Sequence, residues 1–133
     1  MDSEKENPLE KLYVDADEFD RKRIKKALDE LVGIDPHTGK PRFYEGFDGL
    51  TTKEKFVALL LYRRALGFLN DLDEDENIGE GSSYFAELIN VDSSTIRHKV
   101  GDLDFVEKDN ERGGYFIPAH NLRRAVKYID EEE

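Results

Sequence analysis

The run Phe85-Ala86-Glu87-Leu88-Ile89-Asn90-Val91-Asp92-Ser93-Ser94-Thr95-Ile96-Arg97-His98-Lys99-Val100 decides how the rest of the chain is read. It divides into a helical half ending at Ile89, a break at Asn90-Val91-Asp92, and a second helical half from Ser93 to about Val100 or Leu103. Ser82 or Ser83 is placed to cap the first half, and Asp92 or Ser93 the second, because short oxygen-bearing side chains accept from first-turn N–H groups. Ala86 is small where two helices would cross closely, and Val91 is apolar where the gap beneath the turn needs filling. Ile96, Val100 and Leu103 share a face and anchor the second helix. That burial turns Ser94, Thr95, Arg97, His98 and Lys99 outward, a face with two permanent positive charges and no carboxylate.

Beyond this run, Phe105-Val106-Glu107 and Tyr115-Phe116-Ile117 read as short strands. The Gly-rich charged loop from Lys108 to Gly114 joins them, a hairpin signal. Pro118 ends the second strand, and Leu122, Ala125, Val126 and Ile129 give a closing amphipathic helix. Helix, break, helix and hairpin over residues 82–117 resemble the winged helix-turn-helix family of DNA-binding domains, of the prokaryotic or archaeal transcriptional-regulator type. With a helix at 51–70 counted as the first of the domain, the resemblance covers about 70 residues. Two positions depart from the family pattern: Asn90 stands where the turn usually carries Gly, and Asp104 where Gly is common. Asn tolerates a left-handed backbone nearly as well as Gly.

The resemblance implies a mainly α fold with a small β-hairpin wing and an N-terminal helical extension. It implies that the helix at 93–103 enters the major groove while the wing at 108–114 lies on the backbone. Arg97 is then the residue for a bidentate contact to guanine, with Ser93, Ser94 and Thr95 reaching base edges or phosphates. Lys99, Lys108 and Arg112 would meet phosphate, and His98 sits on the same surface. Lys108 and Arg112 also alternate with Asp109 and Glu111, as the charges of a solvated turn would, and His98 reads equally as a surface histidine.

Upstream, Thr51-Thr52-Lys53-Glu54 has the form of a capping box. Phe56, Val57, Leu59, Leu60, Leu61, Tyr62, Leu66, Phe68 and Leu69 follow, a helix apolar on so many sides that it should be the central buried one. Arg63 and Arg64 break its apolar run. Phe19, Ile24, Ala27, Leu28 and Leu31 mark an earlier helix from Asp15, with Arg21 to Lys26 supplying its basic side and Gly33 expected to stop it. Asp35 to Lys40 reads as a turn and Arg42-Phe43-Tyr44 as a short extended piece. The chain thus divides into an acidic flexible arm (1–14), a helix-and-loop extension (15–50), the winged domain (51–130) and an acidic tail (131–133).

Composition bounds the function. With 133 residues, eight Phe and six Tyr, the chain holds one domain with a genuine core. The absence of cysteine excludes thiolate metal sites, disulfides and cysteine nucleophiles, and His37, His98 and His120 are scattered. No carboxylate is paired with a histidine or nucleophile at a catalytic spacing, and Asp71-Leu72-Asp73-Glu74-Asp75-Glu76 resembles a calcium loop only in charge. We therefore expect no enzyme activity, no cofactor and no metal. With no apolar run of membrane length and an acidic N-terminus unlike a signal peptide, the expected location is cytoplasmic. The net charge of −11 is uneven: residues 1–20 carry −6, residues 71–80 another −6 and residues 130–133 a further −4, so the remainder is +5.

The expected function is sequence-specific binding of double-stranded DNA by a transcriptional regulator. A single small wing-and-helix footprint calls for two copies, so a homodimer is expected, seamed by the helix at 15–33 or the one at 119–130. Two other classes fit the sequence: a protein-interaction module in a replication, transcription or viral assembly, contacting through its acidic arms, and an acidic mimic of DNA.

Overall fold

Thr51 and Glu54 close the capping box in both directions. The Thr51 N–H donates to Glu54 Oε1 at 2.8 Å and the Glu54 N–H donates to Thr51 Oγ1 at 3.2 Å. They start α3 (Thr52–Leu69), the longest element of a computed structural model that describes residues 16–69, 79–109 and 113–131. Every residue from Phe56 to Tyr62 is at most 2% exposed, so this helix is buried around its whole circumference. α1 (Ala16–Leu28) and α6 (Leu122–Glu131) pack on α3 and on each other. Leu122, Ala125, Val126 and Ile129 are all buried, the face predicted for the closing helix. Ile24, Ala27, Leu28 and Leu31 belong to the same core, so the N-terminal extension closes onto the rest of the molecule.

The two arginines of α3 are accommodated differently. Arg64 is 3% exposed, and its guanidinium donates through Nη2 to the Ile117 carbonyl, one acceptor for a buried charged donor. Arg63 lies nearer the surface, 3.3 Å from the Glu80 carboxylate and over the Tyr84 ring.

The first region differs from expectation. Gly33 does not stop α1; the helix ends at Leu28, and Glu30 takes the left-handed turn at φ 67°. Leu31 and Val32 are apolar and must be buried, so the chain reverses before them rather than after. Gly33 instead sits in β1 (Val32–Ile34), which pairs antiparallel with β2 (Pro41–Phe43) in the register Val32↔Phe43, Gly33↔Arg42 and Ile34↔Pro41. The predicted turn between them is present. The Asp35 carboxylate accepts from the His37 and Thr38 N–H groups, and the Tyr62 hydroxyl donates to the Gly39 carbonyl, tying the turn to α3. A one-turn helix, α2 (Glu45–Asp48), buries Phe47 against Phe43 with centroids 4.4 Å apart.

The chain is therefore mainly helical with small antiparallel hairpins, the second of which lies beyond α3. Among the described residues no helix is long and apolar enough to cross a membrane. The acidic arm at 1–14, most of the acidic run at 71–80, the side chain of Phe19 and the last two residues of the tail lie outside the described residues. Glu131 is the last residue of α6.

Candidate nucleic-acid interface

Two short helices, α4 (Ser82–Ile89) and α5 (Ser93–Lys99), meet across the predicted break. Asn90 takes the left-handed backbone (φ 71°, ψ 50°) that the missing glycine would otherwise supply. The N–H groups of Asn90 and Val91 both donate to the Ala86 carbonyl, at 2.7 and 3.0 Å, and Val91 is half-buried against the core beneath the turn. The first cap differs from expectation, and the second keeps an expected residue without its side-chain bond. Gly81, not Ser82 or Ser83, occupies the N-cap of α4, and Asp92 holds that position for α5 without a side-chain bond to the helix. The Asp92 carbonyl accepts from Thr95 and Ile96, so backbone geometry alone starts this helix.

α5 is held from below. Ile96 is fully buried, and Val100 and Leu103 are at most 7% exposed. The helix is shorter than the predicted span of 93–103, because Val100 to Asp102 tighten into a 3-10 turn. Ser94, Arg97, His98 and Lys99 are exposed, while Ser93 and Thr95 are half-buried. The Arg97 guanidinium donates through Nη1 to Ser82 Oγ at 3.3 Å and to Ser93 Oγ at 3.4 Å. Bonds of that length to neutral hydroxyls are weak, so the guanidinium is parked beside the α4–α5 corner rather than committed to it. Among the described residues neither Arg97 nor Lys99 forms an ion pair.

The second hairpin is displaced from the predicted strands. β3 (Glu107–Asp109) pairs with β4 (Gly114–Phe116) in the register Glu107↔Phe116, Lys108↔Tyr115 and Asp109↔Gly114. Phe105 is not in the strand because it serves the core, 6% exposed and against Tyr128 at 5.6 Å. Asn121 donates to its carbonyl, which fixes the link from α5 to the hairpin. Ile117 is likewise core, 1% exposed, and precedes Pro118. A third backbone segment completes the hairpin: Glu80 and Tyr115 exchange N–H···O bonds of 3.1 and 2.7 Å. The approach is close enough that Gly114, at φ 131°, has no room for a side chain; a Cβ there would lie 2.4 Å from the Glu80 carbonyl oxygen. Phe56, Phe85 and Tyr115 stack edge-on between α3, α4 and β4, with centroids 4.8 to 6.5 Å apart, so helix pair and hairpin share one aromatic wedge.

Charge around this surface is mixed but arranged. Lys108 is exposed on β3, with its ammonium 5.3 Å from the Tyr115 ring centroid and Glu107 and Asp109 on either side in sequence. Arg112 lies outside the described residues. The two carboxylates that follow α5 are engaged: Asp102 accepts from Lys53 at 2.7 Å and Asp104 from Arg124 at 2.6 Å. The Lys53 ammonium holds the Asp102 carboxyl below the ordinary carboxylate range, and the same bond raises Lys53. These two clamps and the Arg97–Ser82 contact join residues 49, 20 and 15 positions apart, and nothing local in the sequence signals them. Ser93 and Arg97, by contrast, are an i,i+4 pair on α5 itself.

Among the described residues no group of histidine and carboxylate side chains gathers as a metal site would. Comparison with protein-family models, with characterised proteins and with solved structures found no match to this chain.

Proposed function

We propose that the chain is a winged helix-turn-helix protein that binds double-stranded DNA sequence-specifically, as a transcriptional regulator. The observation that carries this reading is the anchoring of α5: Ile96 is sealed in the core while Arg97, His98 and Lys99 stand in solvent on the far side of the same two turns. The left-handed Asn90 turn, and the hairpin wedged through Tyr115 against α3 and α4, supply the helix pair and wing that the reading needs. Pairing of Asp102 with Lys53 and of Asp104 with Arg124 lowers the repulsion that phosphates would meet at the end of α5.

In this reading Arg97 leaves its serine partners for a guanine edge, Ser94 and Thr95 face bases or phosphates, and Lys99 and Lys108 neutralise phosphates. Ser93, half-buried, acts through Arg97, and Arg112 extends the wing contact. Two copies bind paired half-sites. The inward face of α6 is spent on its own core, so the seam falls to the outward sides of α1 or α6. Light scattering at micromolar concentration tests the dimer.

The test of the function is selection from a random duplex library, followed by mobility shift of the enriched sequence across a salt series. Binding of that duplex should weaken steeply with salt, as counterion release requires. Arg97→Ala should cost about 1–3 kcal/mol on the selected site, while Lys99→Ala should weaken all duplexes alike and reduce the salt slope by about one. A library with no enriched sequence and no salt-dependent shift contradicts the proposal.

A further inference from the structure

A pocket of about 430 Å³ opens between α1, β1 and the end of α3. Ile24, Leu28, Val32 and Ala65 line it with apolar surface. Leu69 and Tyr44 stand at its margin, 68% and 52% exposed, where an ordinary core would have drawn them inward. Gly33 shapes this edge: a Cβ there would lie 2.8 Å from the Tyr44 hydroxyl oxygen, so the bare backbone gives the tyrosine ring its seat. The volume falls within the range of small-molecule sites, which are mainly apolar with a few polar groups that fix orientation.

The polar groups of this pocket are graded along α1. Arg21 and Lys25 are one helical turn apart and line the pocket along the second half of α1, while Asp29, four residues beyond Lys25, and Glu30 line it just past the helix terminus. From Arg21 to Leu28, the last residue of α1, the helix advances about 10 Å. An anion is favoured at one end and repelled at the other, and apolar surface lies between.

We propose that this pocket binds a small amphipathic carboxylic acid, with its hydrocarbon body along Ile24, Leu28 and Val32 and its carboxylate at Lys25 and Arg21. A medium-chain fatty acid matches both the volume and the single-ended charge. This site lies outside the candidate DNA-binding surface, and its existence does not depend on DNA binding.

The experiment is a titration of the full-length protein with sodium decanoate, followed by amide chemical shifts, beside the same titration with decan-1-ol. Saturable shifts centred on Ile24, Val32, Tyr44 and Leu69 are expected, with decanol binding at least threefold more weakly. Ala65→Phe fills the pocket from α3 and should weaken decanoate at least tenfold. Lys25→Glu changes an exposed position; it should weaken decanoate severalfold and leave decanol unchanged. Absence of saturable shifts in the wild-type protein overturns the proposal. So does equal binding of decanoate and decanol with Lys25→Glu silent, or a dimer whose seam covers Tyr44 and Leu69 and shuts decanoate out.

Discussion

The two ends of α3 are served by different kinds of packing. Near its N-terminus, Phe56 is fully buried and meets Phe85 and Tyr115 edge-on, so helix, helix pair and hairpin lock through one set of rings. Near its C-terminus, Leu69 is largely in water, and the first hairpin leaves Phe43 and Tyr44 on the surface. Aromatic residues occur at both ends, but among the described residues the three-ring wedge is at the first. The proposed presentation of Arg97 at a fixed angle calls for the first arrangement; a surface that opens into a cavity is compatible with the second.

Substitutions at matched positions sharpen this contrast, and urea unfolding reads them. The largest effect is expected for Phe56→Ala, which removes a ring with no exposure and two aromatic neighbours and should cost about 3–5 kcal/mol. Tyr44→Ala, half in solvent, should stay within about 0.5 kcal/mol. Equal costs would erase the distinction between the two ends.

Glycines give the next test. Gly114→Ala drives a methyl group into the Glu80 backbone at a positive φ and should cost about 2–3 kcal/mol. Gly33→Ala meets only the far end of the Tyr44 side chain, which is free to swing into solvent, so its cost should be under about 1 kcal/mol. Thr51→Ala, which deletes one arm of the capping box, should fall between these last two, at about 1 kcal/mol.

How much of this was legible in the sequence follows the same division. The capping box, the all-round apolar helix, the Asn90 turn and the burial of Ile96 and Val100 are local or periodic features, and the structure has them where the spacing puts them. The first hairpin was half legible. The Asp35 turn could be read, and so could an extended piece at Arg42–Tyr44, one residue past β2, but β1 is only three residues long and contains a glycine, which reads more naturally as the end of a helix. Gly81 at the α4 cap and the Glu80–Tyr115 bridge were hidden because both depend on a long-range approach of backbone to backbone. The outward set at Ser94, Arg97, His98 and Lys99 was readable from the anchors beneath it. The contact of Arg97 with Ser82 was not, since it depends on how α4 is placed.

The smallest effect separates the ends by titration. Backbone N–H bonds from His37 and Thr38 hold the Asp35 carboxyl below its ordinary value of 3.8, and the Lys53 ammonium does so for Asp102. For a depressed folded pKa, the stabilisation is in place above the ordinary carboxylate value and is lost as pH falls through the lower folded one. Salt at about 1 M, where the screening length is about 3 Å, should move the Asp102 midpoint up toward its ordinary value. Asp35 should move less, because neutral backbone donors do most to lower it and the Arg42 charge does less. Carbon-detected carboxyl titrations at low and high salt check both.

The central claim is that one side of α5 is built to meet a nucleic-acid groove. Amide and side-chain shift mapping of the full-length protein with a duplex of about 20 base pairs, at low salt, tests it most directly. The account predicts perturbations concentrated on Ser94, Arg97, His98 and Lys99, with a weaker set at Lys108. Perturbations gathered instead around Tyr44 and Leu69, or none at any duplex concentration, would contradict it.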